Sequence, residues 1–267
     1  MAEPVTLFVP CYVDQLRPQA GVAAVELLER LGHRVEVCPD VVCCGQPFTN
    51  SGAAEQGAAL ARRWYEGMAP ARAVVVLSSS CTVQLRHARR DAGAASGAAR
   101  RGAARRGGPA GAALASGSDP AGLADAPEVL ELCEFLEARH PDGGLGRLER
   151  SVCLHSSCHG LRDSDADRHA RALLGRVAGL NVLRPRRPDE CCGFGGTFSV
   201  SFAALSVRMG EDRLNDILST GAREVIATDL SCLLHLEGIA AARGERLAFR
   251  HIGEILREAL GEEAAPR

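Results

Sequence analysis

Cys43-Cys44-Gly45-Gln46-Pro47 and Cys191-Cys192-Gly193-Phe194-Gly195 share one tripeptide, repeated 148 residues apart, and the chain around each copy repeats with it. Upstream, Cys11 has a counterpart in Cys158, 147 residues on; downstream, Cys81 has one in Cys232, 151 residues on. Between the first cysteine and the pair lie 31 residues in one copy and 32 in the other; between the pair and the last cysteine lie 36 and 39. A lone Cys-Cys pair says little. Two ordered sets of four at matched spacing mark an internal duplication.

The hydrophobic pattern gives both copies one plan. A short apolar run precedes each first cysteine, Val5 to Val9 and Val152 to Leu154, and reads as a buried strand. Helical stretches follow over 21–31 and 168–178, then second strands over 34–38 and 181–183. After each Cys-Cys-Gly loop come a helix, over 53–68 or 202–218, and a third strand, over 73–77 or 224–227, that leads to Cys81 or Cys232. Strands alternating with helices predict an α/β protein of two duplicated Rossmann-like βαβ halves, each with a mostly parallel sheet. The expected boundaries are 1–140 for the first half and 150–267 for the second, with Pro141-Asp142-Gly143-Gly144 between them. An Ala/Gly/Arg-rich tract over 91–122 has no counterpart in the second half. It reads as a low-complexity loop or partly disordered excursion.

Composition narrows the function. A net charge of −2 gives no reason to expect a nucleic-acid partner. No long uncharged apolar run and no basic, apolar leader are present, so the expected location is the cytoplasm, with no transmembrane segment. In that reducing compartment 11 cysteines suit metal or redox chemistry better than structural disulfides.

Thiolates are soft ligands that select iron–sulfur clusters, zinc or copper(I). The candidate ligands are Cys11, Cys43, Cys44 and Cys81 in the first half and Cys158, Cys191, Cys192 and Cys232 in the second. Cys38, Cys133 and Cys153 have no partner in the repeat and read as packing residues. Each half brings its thiols from three strand ends, the crevice where open α/β sheets bind ligands. A zinc-binding scaffold using His155, Cys158, Cys191 and Cys192 is the alternative, although the first half repeats the cysteines without a nearby His. His155-Ser156-Ser157-Cys158-His159 lacks the first Cys of a haem-attachment site, and no ferredoxin-type cysteine run, dinucleotide loop or Walker loop exists.

Cys43-Cys44-Gly45-Gln46-Pro47 with Gly52 resembles the signature of the cysteine-rich CCG domain, which occurs twice in the cysteine-rich subunit of heterodisulfide reductase and in the glycolate oxidase iron–sulfur subunit. Val25-Glu26-Leu27-Leu28-Glu29-Arg30-Leu31-Gly32 and the run from Cys191 to Val200 look most like the lactate utilization protein A family. The resemblance covers nearly the whole chain outside the 91–122 tract. It implies an iron–sulfur electron-transfer subunit that works in oxidation of L-lactate to pyruvate, beside a ferredoxin-type iron–sulfur subunit and a third subunit. The resemblance also leaves a glycolate oxidase or heterodisulfide reductase-like role open. It implies one cluster per half on the eight repeated cysteines. One departure stands out: where the heterodisulfide reductase relative closes each half with C-x-x-C, this chain has Ser78 before Cys81 and Asp229 before Cys232. Four thiolates per half suit an ordinary 4Fe–4S cluster, with an oxygen ligand at Ser78 or Asp229 as a further option.

Overall fold

The computed structural model describes residues 4–38, 43–69, 71–102 and 126–261. Val5–Phe8 forms β1, an apolar run of the kind that a sheet covered on both faces requires. Cys11–Leu16 and Pro18–Arg30 follow as α1 and α2. Pro18 opens α2 at a position where its missing N–H costs nothing. Then come β2 (Val35–Val37), α3 (Gln46–Asn50), α4 (Ala54–Met68) and β3 (Ala73–Val76). α5 (Ser79–Gly102), β4 (Glu128–Glu131) and α6 (Leu132–Arg139) complete the first half.

The second half repeats the series. It runs β5 (Arg147–Leu154), α7 (Cys158–Arg162), α8 (Ala166–Leu174), β6 (Ala178–Leu183), α9 (Phe198–Ser201) and α10 (Ala203–Leu218). β7 (Glu224–Ala227), α11 (Leu230–Ala242), β8 (Ala248–His251) and α12 (Ile252–Ala259) finish it. Each half holds a four-stranded sheet, in the orders β2-β1-β3-β4 and β6-β5-β7-β8. Every pairing is parallel, as the alternation of strands and helices predicts.

Three features differ from the sequence expectation. Each sheet has a fourth strand, β4 or β8, only four residues long and followed without a loop by a helix. The helix expected over 168–178 is α8, which stops at Leu174 and yields to β6 from Ala178. The tract from 91 opens as helix, since α5 continues to Gly102. Its Ala and Arg residues are strong helix formers, which the composition-based reading overlooked. Positions 103–122 of the tract lie outside the described residues.

The halves share a core. One cluster joins Val5, Leu7, Leu27 and Leu28 of the first to Val152, Leu154, Ile252 and Leu256 of the second. Burying each such side chain contributes about 1.5–3 kcal/mol, so the seam between halves is a main source of stability. α2 packs on α12, and α6 packs on α8. Ion pairs tie the rim, Arg17 with Glu237 and Arg257 with Glu26.

Candidate metal centres

The parallel sheet decides where the cysteines meet. Cys11 opens α1 just beyond β1, Cys43 and Cys44 directly precede α3, and Cys81 lies in the first turn of α5 just beyond β3. In the second half Cys158 opens α7, Cys191 and Cys192 precede α9, and Cys232 lies in the first turn of α11. The carboxyl ends of parallel strands share one edge, so each set of four converges there. Helix N-termini surround it, and their dipoles favour negative charge.

Each set is a chain of touching thiols. Cys44 Sγ lies 3.2 Å from Cys81 Sγ, and Cys43 accepts hydrogen bonds from Cys11 and Cys44. In the second half Cys191 accepts from Cys158 and Cys192, and Cys192 is bonded to Cys232. Backbone amides also aim at sulfur: Gly45 N–H donates to Cys43 Sγ at 3.4 Å and Gly193 N–H to Cys191 Sγ at 3.3 Å. Phe194 N–H donates to Cys192 Sγ at 3.5 Å. The thiols of Cys11 and Cys44 hold Cys43 far below the ordinary thiol range, while Cys11 is pushed up by the bond it gives to Cys43 and by burial. Cys158, Cys191 and Cys192 follow the same pattern. In each set one sulfur, Cys43 or Cys191, is thus favoured as thiolate while the two cysteines that donate to it are favoured as thiols. A bound metal would deprotonate the rest. This donor set fits an iron–sulfur cluster, whose ligands are thiolates.

Each site has depth. Cys44, Cys81, Cys192 and Cys232 are buried, whereas Cys11, Cys43, Cys158 and Cys191 are half-buried. The Cys-Cys-Gly turn needs its glycine twice over. Gly45 and Gly193 have φ of +89° and +88°, and a Cβ on either would sit 2.3 Å from Gly57 O or 2.5 Å from Ser206 O.

The three unrepeated cysteines lie elsewhere. Cys133 and Cys153 are fully buried in apolar clusters, and burial pushes both thiols up, Cys153 to about 11. Cys38 directly follows β2 and packs against the cluster around Phe8 and Trp64.

Ser78 and Asp229 do not offer free oxygens to the cysteines; they are bonded to each other and to the seam. Asp229 accepts from Tyr12 Oη at 3.0 Å, Ser78 Oγ at 3.3 Å and Ser80 N at 2.9 Å, all in the other half. It also caps α11 by accepting from Ser231 N at 3.2 Å. Burial raises its pKa, but the bonds from Ser231, Ser80 and Tyr12 outweigh burial and leave the carboxylate below its usual range. Ser79 Oγ and Thr228 Oγ1 meet 2.7 Å apart beside it. The positions read as candidate oxygen ligands thus join the two halves. Their spacing before Cys81 and Cys232 gave no hint of this, because the bonds cross about 150 residues of chain.

His155 belongs to the second site, with Cys192 as the zinc alternative expects but with Cys232 in place of Cys158 and Cys191. Among the described residues a ring nitrogen of His155 and the Sγ atoms of Cys192 and Cys232 all lie within 4.8 Å of one another. Its Nδ1 accepts from Arg213 Nε at 3.0 Å. Burial and then the Arg213 charge push its pKa down to about 3, so the ring is neutral. Arg213 was not singled out in the sequence. Its signal was there: it stands where the first half has Trp64, seven residues past the contact with the Cys-Cys-Gly glycine in both halves. His159 lies beside Cys158, its Nδ1 3.7 Å from the sulfur.

The cysteine-rich domain family named CCG matches this chain twice, over residues 5–86 and 152–237. Lactate utilization protein A of Bacillus cytotoxicus is 33% identical over 261 residues, covering 94% of this chain and 98% of its own length. The proteins of the same name from Exiguobacterium sp. and Bacillus subtilis are 33% and 32% identical, over 95% and 94% of this chain and 97% and 98% of their own lengths. The chain belongs to the lactate utilization protein A family. Among solved structures, a hypothetical protein from Helicobacter pylori superposes with a TM-score of 0.66 at 12% identity, over 98% of this chain. The chain spans half the length of that protein, and the likeness is one of fold. Both CCG matches of the family contain a complete set of four thiols: Cys11 to Cys81 lie within the first and Cys158 to Cys232 within the second. Among the described residues no helix is long and apolar enough to cross a membrane.

Proposed function

We propose that this chain is the iron–sulfur subunit of a system that oxidises L-lactate to pyruvate, with one cluster per half. Cys11, Cys43, Cys44 and Cys81 would hold the first cluster, and Cys158, Cys191, Cys192 and Cys232 the second. The observation that carries the reading is the doubled set of touching thiols at the strand ends, met by backbone N–H groups and helix N-termini. The relatives' printed name supplies lactate as the substrate of the wider system.

When bound, such a cluster would supply one-electron exchange. The chain's own residues would hold it between the buried Cys44, Cys81, Cys192 and Cys232 and the half-buried Cys11, Cys43, Cys158 and Cys191. Two-electron oxidation of a 2-hydroxy acid needs an acceptor such as a flavin or nicotinamide, and no motif for either is present. The reaction therefore requires a partner that carries such an acceptor; the family resemblance implies a ferredoxin-type iron–sulfur subunit and a third subunit, working with this chain in the cytoplasm. Exposed Phe48 on α3, Val200 on α9 and Phe202 at the end of α9 follow the two Cys-Cys-Gly loops, where a partner has to approach. The test is anaerobic purification with iron, acid-labile sulfide and zinc analysis. Iron and sulfide with broad visible absorption are expected; stoichiometric zinc without sulfide would overturn the reading in favour of a zinc scaffold.

A further inference from the structure

The two thiol sets correspond cysteine for cysteine, but the side chains behind them do not. Three residues before Cys158 stands His155; three residues before Cys11 stands Phe8. Phe8 is buried edge-on against Trp64, their ring centroids 5.4 Å apart at 79°. In the same place behind the second set, His155 is bonded to Arg213, which is fully buried. An aromatic pair in one half is thus a polar, cationic pair in the other.

The hydrogen-bond roles follow from chemistry. A guanidinium N–H can only donate, so His155 Nδ1 is an acceptor and the neutral ring carries its proton on Nε2. That Nε2 is buried and has no partner among the protein atoms. With Nδ1 turned to Arg213, Nε2 is the nitrogen left to face the nearby sulfurs of Cys192 and Cys232. To ligate a metal through Nε2 the ring would have to move its proton to Nδ1, against the Arg213 N–H. The arrangement leaves His155 with an unpartnered N–H beside those sulfurs. Arg213 is itself fixed, with Nη1 donating to Arg187 O at 2.6 Å and lying 3.5 Å from Asp216 Oδ2, while Nη2 is buried without a partner. Asp216 is already engaged by the Arg186 and Arg187 amides, so it offsets the guanidinium only in part.

We propose that His155 and Arg213 make the second centre the more oxidising of the two. His155 gives its Nε2–H to a sulfur of that centre, and Arg213 positions the ring and adds positive charge behind it. This rests on the iron–sulfur reading above. Reduction adds negative charge to a cluster, and hydrogen bonds to its sulfurs and a nearby cation both favour the reduced form. Burial strengthens both effects. The first centre, backed by Phe8 and Trp64, has no cation behind it: Phe8 has no N–H to give, and Trp64, whose indole N–H is buried without a partner, carries no charge. An electron shared between the centres therefore rests on the second.

The experiment is a redox titration of the anaerobically purified full chain, followed by electron paramagnetic resonance. Each centre is read in a background lacking the other, Cys44→Ser for the second and Cys192→Ser for the first. The second centre should titrate at the higher potential. His155→Phe, which copies the first half, should lower it toward the first, and Arg213→Gln should lower it as well. His155→Gln keeps an N–H donor and should stay near the wild-type value. None of these changes should move the first centre. A second centre retained in His155→Phe at unchanged potential overturns the proposal. So does loss of iron from the second half in both His155 variants, which would make His155 a ligand. If His155→Phe alone sheds the centre, Arg213→Gln decides: a lowered potential supports the proposal and an unchanged one overturns it. Wild-type protein with no iron or sulfide is a different failure, that of the iron–sulfur reading itself.

Discussion

Asp229→Ala tests the seam between the halves. The carboxylate is 1% exposed and accepts from Tyr12, Ser78, Ser80 and Ser231. Its removal leaves the buried Ser80 N–H without an acceptor, at about 1–3 kcal/mol. It also removes the N-cap of α11, at roughly 1 kcal/mol, and the Tyr12 bond, at about another. The loss should total about 3–5 kcal/mol, a fall in Tm of roughly 6–20 °C for a chain of this size. Thermal unfolding followed by circular dichroism, on wild type and variant purified side by side, measures it. The carboxylate's pKa is lowered on folding, so its contribution is complete above the unfolded value, about 3.9, and is lost as pH falls through the folded one. The difference between wild type and variant should therefore be flat near neutrality and shrink in acid. Iron per folded chain should not change, because Asp229 is bonded to the seam. A Tm shift under about 2 °C would refute the seam argument, and loss of iron from the second half without loss of stability would make Asp229 a ligand after all.

Cys44→Ser and Cys192→Ser should each remove the cluster of their own half, whereas Cys133→Ser, inside the apolar core, should keep both; equal losses of iron from all three would show that the repeat does not mark the ligands. Gly193→Ala places a Cβ at φ +88° and 2.5 Å from Ser206 O, which costs about 1–2 kcal/mol for the backbone alone, so iron analysis should find the second half depleted. Glu131 caps α6 through Cys133 N–H while burial pushes its carboxyl up to about 8. A raised folded pKa means that its contribution is complete below the unfolded value and is lost as pH rises toward 8. Glu131→Gln should then be more stable than wild type by roughly 2–4 kcal/mol at about pH 8 and lose that advantage near pH ~4, as urea unfolding at both pH values would show.

The sequence carried the architecture because the duplication appeared in several independent signals at once. β1, α4, α10 and β7 fall within a residue or two of the apolar periodicity that announced them. β4 and β8 escaped because four residues running straight into a helix leave no turn signal and too short a pattern. At the sites the cysteine spacing was legible, but the partners of Ser78, Asp229 and Tyr12 were not. Side chains that bond across the seam are placed by packing of one half on the other, and no local pattern records it. Arg213 lay between these cases: aligning the repeats set it against Trp64, yet only the contact with His155 gave the exchange a meaning.

The packing of α2 on α12 and of α6 on α8 is reciprocal: the helix after the first cysteine in each half meets the last helix of the other. That is the signature of an isologous interface, in which one surface patch serves both partners. A single-copy ancestor with this fold would have paired with itself through that patch, as a homodimer with two identical centres. Identical subunits cannot differ, so any side chain placed behind one centre would have stood behind both. Joining the copies in one gene removed that constraint. Phe8 could then face Trp64 on one side of the old dyad while His155 took Arg213 on the other.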